Sequence, residues 1–133
     1  MNKLQIISFF ILYAFVSTAV GQNALSTSHL TCEYQTNPSG IDALHPRLSW
    51  QLKSDFRNQR QSAYQILVAD SPEKLSAGQG NIWDSRIVKS SHSIQIEYAG
   101  KPLQAAGKYY WKVKVWNQDH KASAWSETAS WQM

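Results

Sequence analysis

Hydrophobic and polar residues alternate with period two along much of this chain, and the longest such run is Lys108-Tyr-Tyr-Trp-Lys-Val-Lys-Val-Trp-Asn117. Successive strand side chains point to opposite sides. Tyr109, Trp111, Val113 and Val115 therefore share one face, and Tyr110, Lys112, Lys114 and Trp116 share the other. Aromatic and β-branched residues suit a pleated, half-buried surface, and covering both lysines would desolvate two charges. The run is predicted to be a central antiparallel strand with one dry face and one wet face.

Shorter runs repeat the pattern. Leu30, Cys32 and Tyr34 alternate with polar neighbours and predict a first strand; Leu48, Trp50 and Leu52 face inward in a second, with Arg47, Ser49, Gln51 and Lys53 outward. Tyr64, Ile66 and Val68 mark a third strand, residues 82–88 a short edge strand with the Trp83 ring over the sandwich edge, Ile94, Ile96 and Tyr98 a further strand, and residues 124–133 the last. Between them lie turn signals: Asn37-Pro-Ser-Gly40, the polar connection 54–61, Gly100-Lys-Pro102 and Asn117-Gln-Asp-His-Lys121. Ser71-Pro-Glu-Lys-Leu75 reads as one short helical turn, with Ser71 as cap and Pro72 in the first position, closed by Gly78 and Gly80.

About seven short strands with turns every 8–12 residues predict an all-β fold, a seven-stranded antiparallel sandwich of immunoglobulin-like or fibronectin type III kind. Tyr109, a few residues beyond Leu103 at the mouth of the long strand, is placed to turn its hydroxyl back onto the preceding corner and satisfy a backbone group there. Trp50 resembles the core tryptophan of fibronectin type III domains. Cys32 is the single cysteine, so no disulfide can bridge the sheets, which favours that type over an antibody-like domain. Its inward position suits a buried, inert thiol.

The chain has 133 residues, enough for one domain after its N-terminus is set aside. Met1-Asn-Lys3 is a short positive start, residues 4–16 are almost wholly apolar, and Ala19 and Gly21 are small, so residues 1–21 are expected to be a signal peptide cleaved before Gln22. The apolar run falls short of the roughly 20 residues of a membrane span, so no stable membrane anchor is expected. The product would be exported, to the periplasm or beyond, with residues 22–28 as a flexible tail and residues 29–133 as the sandwich. Loss of Lys3 lowers the formal charge by one from +4, and the remaining lysines and arginines are scattered rather than clustered. That excludes a nucleic-acid surface.

Candidate chemistry is sparse. A glycosidase needs two facing carboxylates, one with a raised pKa, whereas the nine acids here sit mostly in predicted turns or on outward faces. The four histidines occupy separate loops or strand starts, and no zinc, phosphate-loop, nucleophile-elbow or Cys/His pattern is present. No catalytic residue, cofactor or metal ligand is expected on this chain. Of the six tryptophans, Trp50, Trp111 and Trp131 read as core. Tyr110, Trp116 and Trp125 are the candidate surface, either for a glycan or for a neighbouring domain.

Six motifs carry a resemblance: Asn37-Pro-Ser-Gly-Ile-Asp42, Pro46-Arg-Leu-Ser-Trp50, Ala63-Tyr-Gln-Ile-Leu-Val-Ala69, Trp83-Asp-Ser85, Tyr109-Tyr-Trp-Lys-Val113 and Ser123-Ala-Trp-Ser-Glu127. In this order they resemble the N-terminal fibronectin type III-like domain of secreted bacterial α-L-rhamnosidases. The resemblance implies a non-catalytic module of an inverting glycoside hydrolase that removes terminal α-L-rhamnose, whose acids lie in a separate helical barrel, so no catalytic residue is carried over. It implies the catalytic domains of the same parent enzyme as partner, with rhamnose-containing glycans as a further candidate. The chain stops at Trp131-Gln-Met133 inside a strand pattern, so a fragment of the parent is expected. In such a fragment the outer face of Lys108–Asn117, with Tyr110 and Trp116 between lysines, is where a neighbouring domain would dock and would be left bare; the alternative is a free-standing exported carbohydrate-binding or adhesion domain using Trp116 and Trp125.

Overall fold

The computed structural model describes residues 25–133. The expected leader at residues 1–21, and residues 22–24 of the expected tail, lie outside the described residues. In chain order the elements are β1 (Ser26–Cys32), β2 (Arg47–Lys53), β3 (Gln61–Ala69), α1 (Pro72–Ser76), β4 (Trp83–Asp84), β5 (Ile96–Glu97), β6 (Lys108–Asn117) and β7 (Ala129–Gln132). They form two antiparallel sheets, a three-stranded one in the order β1-β2-β5 and a four-stranded one in the order β4-β3-β6-β7. The chain is an all-β, seven-stranded immunoglobulin-like sandwich, as the spacing of turns predicts.

The core lies between the sheets and is dominated by aromatic rings. Trp111, Val113 and Val115 of β6 are fully buried with Trp50, Leu48, Ile66, Val68 and Trp131, which is the dry face the alternation demands. Trp131 sits among Tyr98 and Tyr109, with ring centroids 5.9 Å and 5.4 Å away, and Tyr98 meets Trp83 edge-on at 5.3 Å. Such contacts add about 0.5–1.5 kcal/mol each beyond area burial. Trp50 stacks edge-on against Tyr64 at 5.3 Å and donates its indole N–H to Gln61 Oε1 at 3.0 Å. The buried Gln61 amide in turn donates to the carbonyls of Ser90 and His92, so one residue ties a core ring to the loop between β4 and β5.

Tyr109 makes the expected corner. Its hydroxyl accepts the Gln104 N–H at 2.8 Å. Gly107 leaves the room for it, since a Cβ there would stand 2.7 Å from that oxygen. The Asn37-Pro-Ser-Gly40 turn lies along β7: Asn37 Oδ1 accepts from Ser130 N, Pro38 O accepts from Gln132 N, and Ile41 N donates to Gln132 O.

Several expectations need correction. β1 starts at Ser26 rather than near residue 29, and Leu25 is already buried in the core, so the tail ends earlier than its polar composition suggests. The strand is hidden because the register shifts between Ser28 and Thr31, with His29 at φ 52°, which breaks the alternation. Tyr34 does not face inward: Glu33 and Tyr34 turn through φ 47° and 65°, and the ring ends 67% exposed. Ile94 is equally exposed, because Gln95 at φ 55° leaves a two-residue β5. Leu52 is exposed rather than inward. Residues 82–88 contribute β4 and one bridge from Val88 to Tyr64 rather than a continuous strand.

The last strand begins at Ala129, not at residue 124. Ahead of it the Ser126 and Ser123 hydroxyls accept from Val113 N and Val115 N, and the two serine N–H groups donate back to the same residues' carbonyls. Side chains thus complete the β6 edge where no ladder runs.

Candidate functional site: the two outer faces

The larger sheet is covered on its outer side by its own chain. Leu67 and Ala69 of β3 point away from the main core yet are buried, and Leu75 of α1 lies over them with no exposed surface. The single helical turn that delivers Leu75 is specified locally: Ser71 Oγ accepts from Lys74 N at 3.3 Å, Pro72 opens the helix, and Gly78 leaves it at φ +76°. Tyr110 and Trp125 pack beside this second small core.

The Trp125 ring carries the Lys112 and Lys114 ammonium groups at 4.8 Å and 4.6 Å from its centroid, and Lys108 stands 5.6 Å from that of Tyr110. Burial, and then the neighbouring Lys114 charge, push the Lys112 pKa down. The expected bare face is therefore closed: of its three candidate residues, Tyr110 and Trp125 are half-buried in this packing, and Trp116 is half-buried opposite Ala63 and beside the Ala122 bridge. The signal for this was present in the unbroken run Ile66-Leu-Val-Ala69, since a strand buried on both faces reads as continuous rather than alternating.

The smaller sheet has no such cover among the described residues. Ser49 and Gln51 point outward from β2 beside Thr31 of β1, and Tyr34, Ile94, Gln95 and His29 rim a shallow groove of about 260 Å³ over them. Gln95 braces the rim, donating Nε2–H to the Tyr34 hydroxyl at 2.7 Å and its backbone N–H to Ser49 Oγ at 2.9 Å. Arg47 lies 5.2 Å from the Tyr34 ring centroid and is fixed from the other side by Glu33, with Nη2 to Oε2 at 2.7 Å and Nε to Oε1 at 3.2 Å. The Arg47 hydrogen bonds hold the Glu33 carboxyl below its ordinary range. Three rim residues, His29, Tyr34 and Gln95, sit at positive φ, a conformation that persists only where surrounding bonds enforce it. A second cleft of about 300 Å³ separates the β1 and β7 ends and holds Glu127 and Asn37.

On these faces the two carboxyls whose pKa shifts, Glu33 and Asp70, both shift downward. An acid that protonates a leaving group needs a raised pKa, whereas Glu33 is pushed down by Arg47 and Asp70 by Lys74, 2.8 Å away. Asp84 accepts from Gln65 and lies 3.8 Å from Arg86. Burial, with Glu33 adding, pushes the Cys32 thiol up to about 12, which keeps it protonated and unreactive. Among the described residues no three His, Cys, Asp or Glu side chains are grouped to hold a metal.

Residues 27–133 match the model of the "Rha78A-like, N-terminal immunoglobulin domain" family. An α-L-rhamnosidase of Streptomyces avermitilis is 44% identical over 110 residues, covering 83% of this chain and 10% of that protein. One of Formosa agariphila is 39% identical across 99% of this chain and 14% of its own length. The solved Streptomyces avermitilis enzyme, a complex with L-rhamnose, superposes with a TM-score of 0.79 over 83% of this chain and 10% of that one. The α-L-rhamnosidase structure from Dictyoglumus thermophilum also gives 0.79, at 36% identity over 81% of this chain and 12% of that one. The chain thus spans 10–14% of the length of these curated relatives. With the family model covering nearly all the described residues, and the relatives sharing both sequence and sandwich, the chain belongs to the Rha78A-like N-terminal immunoglobulin domains.

Proposed function

We propose that this chain serves as a non-catalytic β-sandwich module of an α-L-rhamnosidase, a glycoside hydrolase that removes terminal α-L-rhamnose, and that it works by packing against the catalytic body of that enzyme. The observation that carries this reading is one of proportion: the chain matches relatives named α-L-rhamnosidase along 83–99% of its own length but only 10–14% of theirs. The lowered pKa values of Glu33 and Asp70 support it, because they run opposite to what an acid catalyst needs. The positive start, apolar run and small residues of positions 1–21 support export, to the periplasm or beyond.

The test is to express the chain with its own N-terminus, collect the exported product and offer it a nitrophenyl α-L-rhamnoside. The product should begin at Gln22 and release no nitrophenol above a buffer blank. Turnover would overturn the non-catalytic reading, and retention of Met1–Lys3 on the recovered protein would overturn the export reading.

A further inference from the structure

We propose that the outer face of the smaller sheet, centred on Tyr34 and Ile94, is the surface by which this module seats on the body of an α-L-rhamnosidase. The inference rests on the module reading above and assigns that reading a face. Tyr34 and Ile94 are each 67% exposed and rim the same groove, so two large apolar side chains of one rim remain in water. The opposite outer face closes its apolar positions with Leu75, Tyr110 and Trp125. The same polypeptide therefore covers one sheet and leaves the other open, and an exposed apolar cluster ringed by polar groups marks an interaction surface.

The occupant follows from the chemistry around the two residues. Glu33 holds Arg47 in a bidentate pair and Glu97 stands opposite Arg47 on β5, so the charges gather at the Arg47 end and leave the centre of the patch without any. What remains is an apolar centre flanked by the uncharged groups of Thr31, Ser49, Gln51 and Gln95. Interfaces between domains of one chain have this mixed character and bury about 600–1,500 Å². Roughly nine-tenths of the length of each relative lies outside the matched segment, so the enzyme body is the polypeptide available to cover the patch.

A free sugar fits less well. Arg47 already lies over the Tyr34 ring that a pyranose would stack on, and the groove over it is shallow. The bonds from Gln95 to Tyr34 and Ser49 hold the rim in place before any partner arrives, which lowers the ordering cost of docking.

The test compares amide hydrogen exchange in this chain alone with that in a fusion where it replaces the matching N-terminal segment of the Streptomyces avermitilis enzyme. Amides of residues 33–35 and 93–96 should slow at least about tenfold in the fusion, while residues 110–114 and 123–126 keep their rates. Slowing at 110–126 without slowing at 93–96 overturns the proposed face and leaves the module reading standing. No slowing anywhere overturns both. The double variant Tyr34→Ser/Ile94→Ser, two exposed positions that leave the core untouched, should abolish the slowing; its persistence counts against the proposal. Where the fusion does not fold, the same readout is taken with the enzyme body, lacking its N-terminal segment, added in excess to the free chain, and unchanged rates at 93–96 again overturn the face. L-rhamnose added to the chain alone should change nothing at these segments, and protection by it would replace the docking face with a sugar site.

Discussion

The outer faces of the two sheets solve one problem in opposite ways. On the β4-β3-β6-β7 sheet, Leu67 and Ala69 are apolar where strand alternation would place polar groups, and the chain covers them with one helical turn and a tryptophan held under two lysines. On the β1-β2-β5 sheet the outward strand positions are polar, and the apolar groups, Tyr34 and Ile94, are held above them on strained turns. The first arrangement contributes to the stability of the module itself. The second leaves its apolar area for something else to bury.

The strongest way to break this comparison is to empty the closed face. Leu75→Ala should destabilise the chain by about 3 kcal/mol in urea unfolding, the usual cost of a buried Leu→Ala cavity, whereas Ile94→Ala on the open face should change stability by no more than about 0.5 kcal/mol. Equal losses at the two sites would mean that the faces are not different in kind. Next in size, Trp125→Ala should cost about 1–2 kcal/mol, because it removes both the ring under Lys112 and Lys114 and part of the cover over Leu67. A thermal midpoint unmoved by this change would show that the lysines carry no share of the closure.

The smallest effect is a pH dependence on the open face. Glu33 is held below its ordinary value of 4.5 in the folded chain by Arg47. Its contribution is therefore fully present above that ordinary value and is lost as pH falls through the depressed one. Glu33→Gln should flatten this part of the acid limb of a midpoint-against-pH curve by lowering the neutral midpoint slightly, toward the value that the unaltered chain reaches once Glu33 is protonated. An unaltered acid limb would mean that the pair under Tyr34 contributes nothing to stability, as many exposed pairs do.

The inner half of this molecule was readable from the sequence, whereas of the outer half only the unbroken run Ile66-Leu-Val-Ala69 gave a signal, for physical reasons. Trp50, Trp111, Trp131 and the dry face of β6 follow from period-two burial, and Tyr109 and Ser71 follow from hydrogen bonds that act within a few residues. The outer faces depend on backbone that leaves the regular pattern. The bulge at His29, the turn that throws out Tyr34 and the kink at Gln95 all occupy positive φ without glycine, so composition gives no warning of them. Lys112 and Lys114 read as solvated, and they are instead laid along Trp125, which long stems permit and charge alone does not suggest.

The turn at residues 37–41 has a consequence for how this sandwich behaves in company. Its three hydrogen bonds to β7 use main-chain groups at Ser130 and Gln132 that an edge strand would otherwise present to any passing extended segment. An incoming strand would have to displace the proline-containing turn first, so this side of the larger sheet is guarded against strand addition, domain exchange and fibril growth. The module can thus be tethered to a large neighbour, or be produced without one, and meet other copies of itself at that edge without zipping onto them.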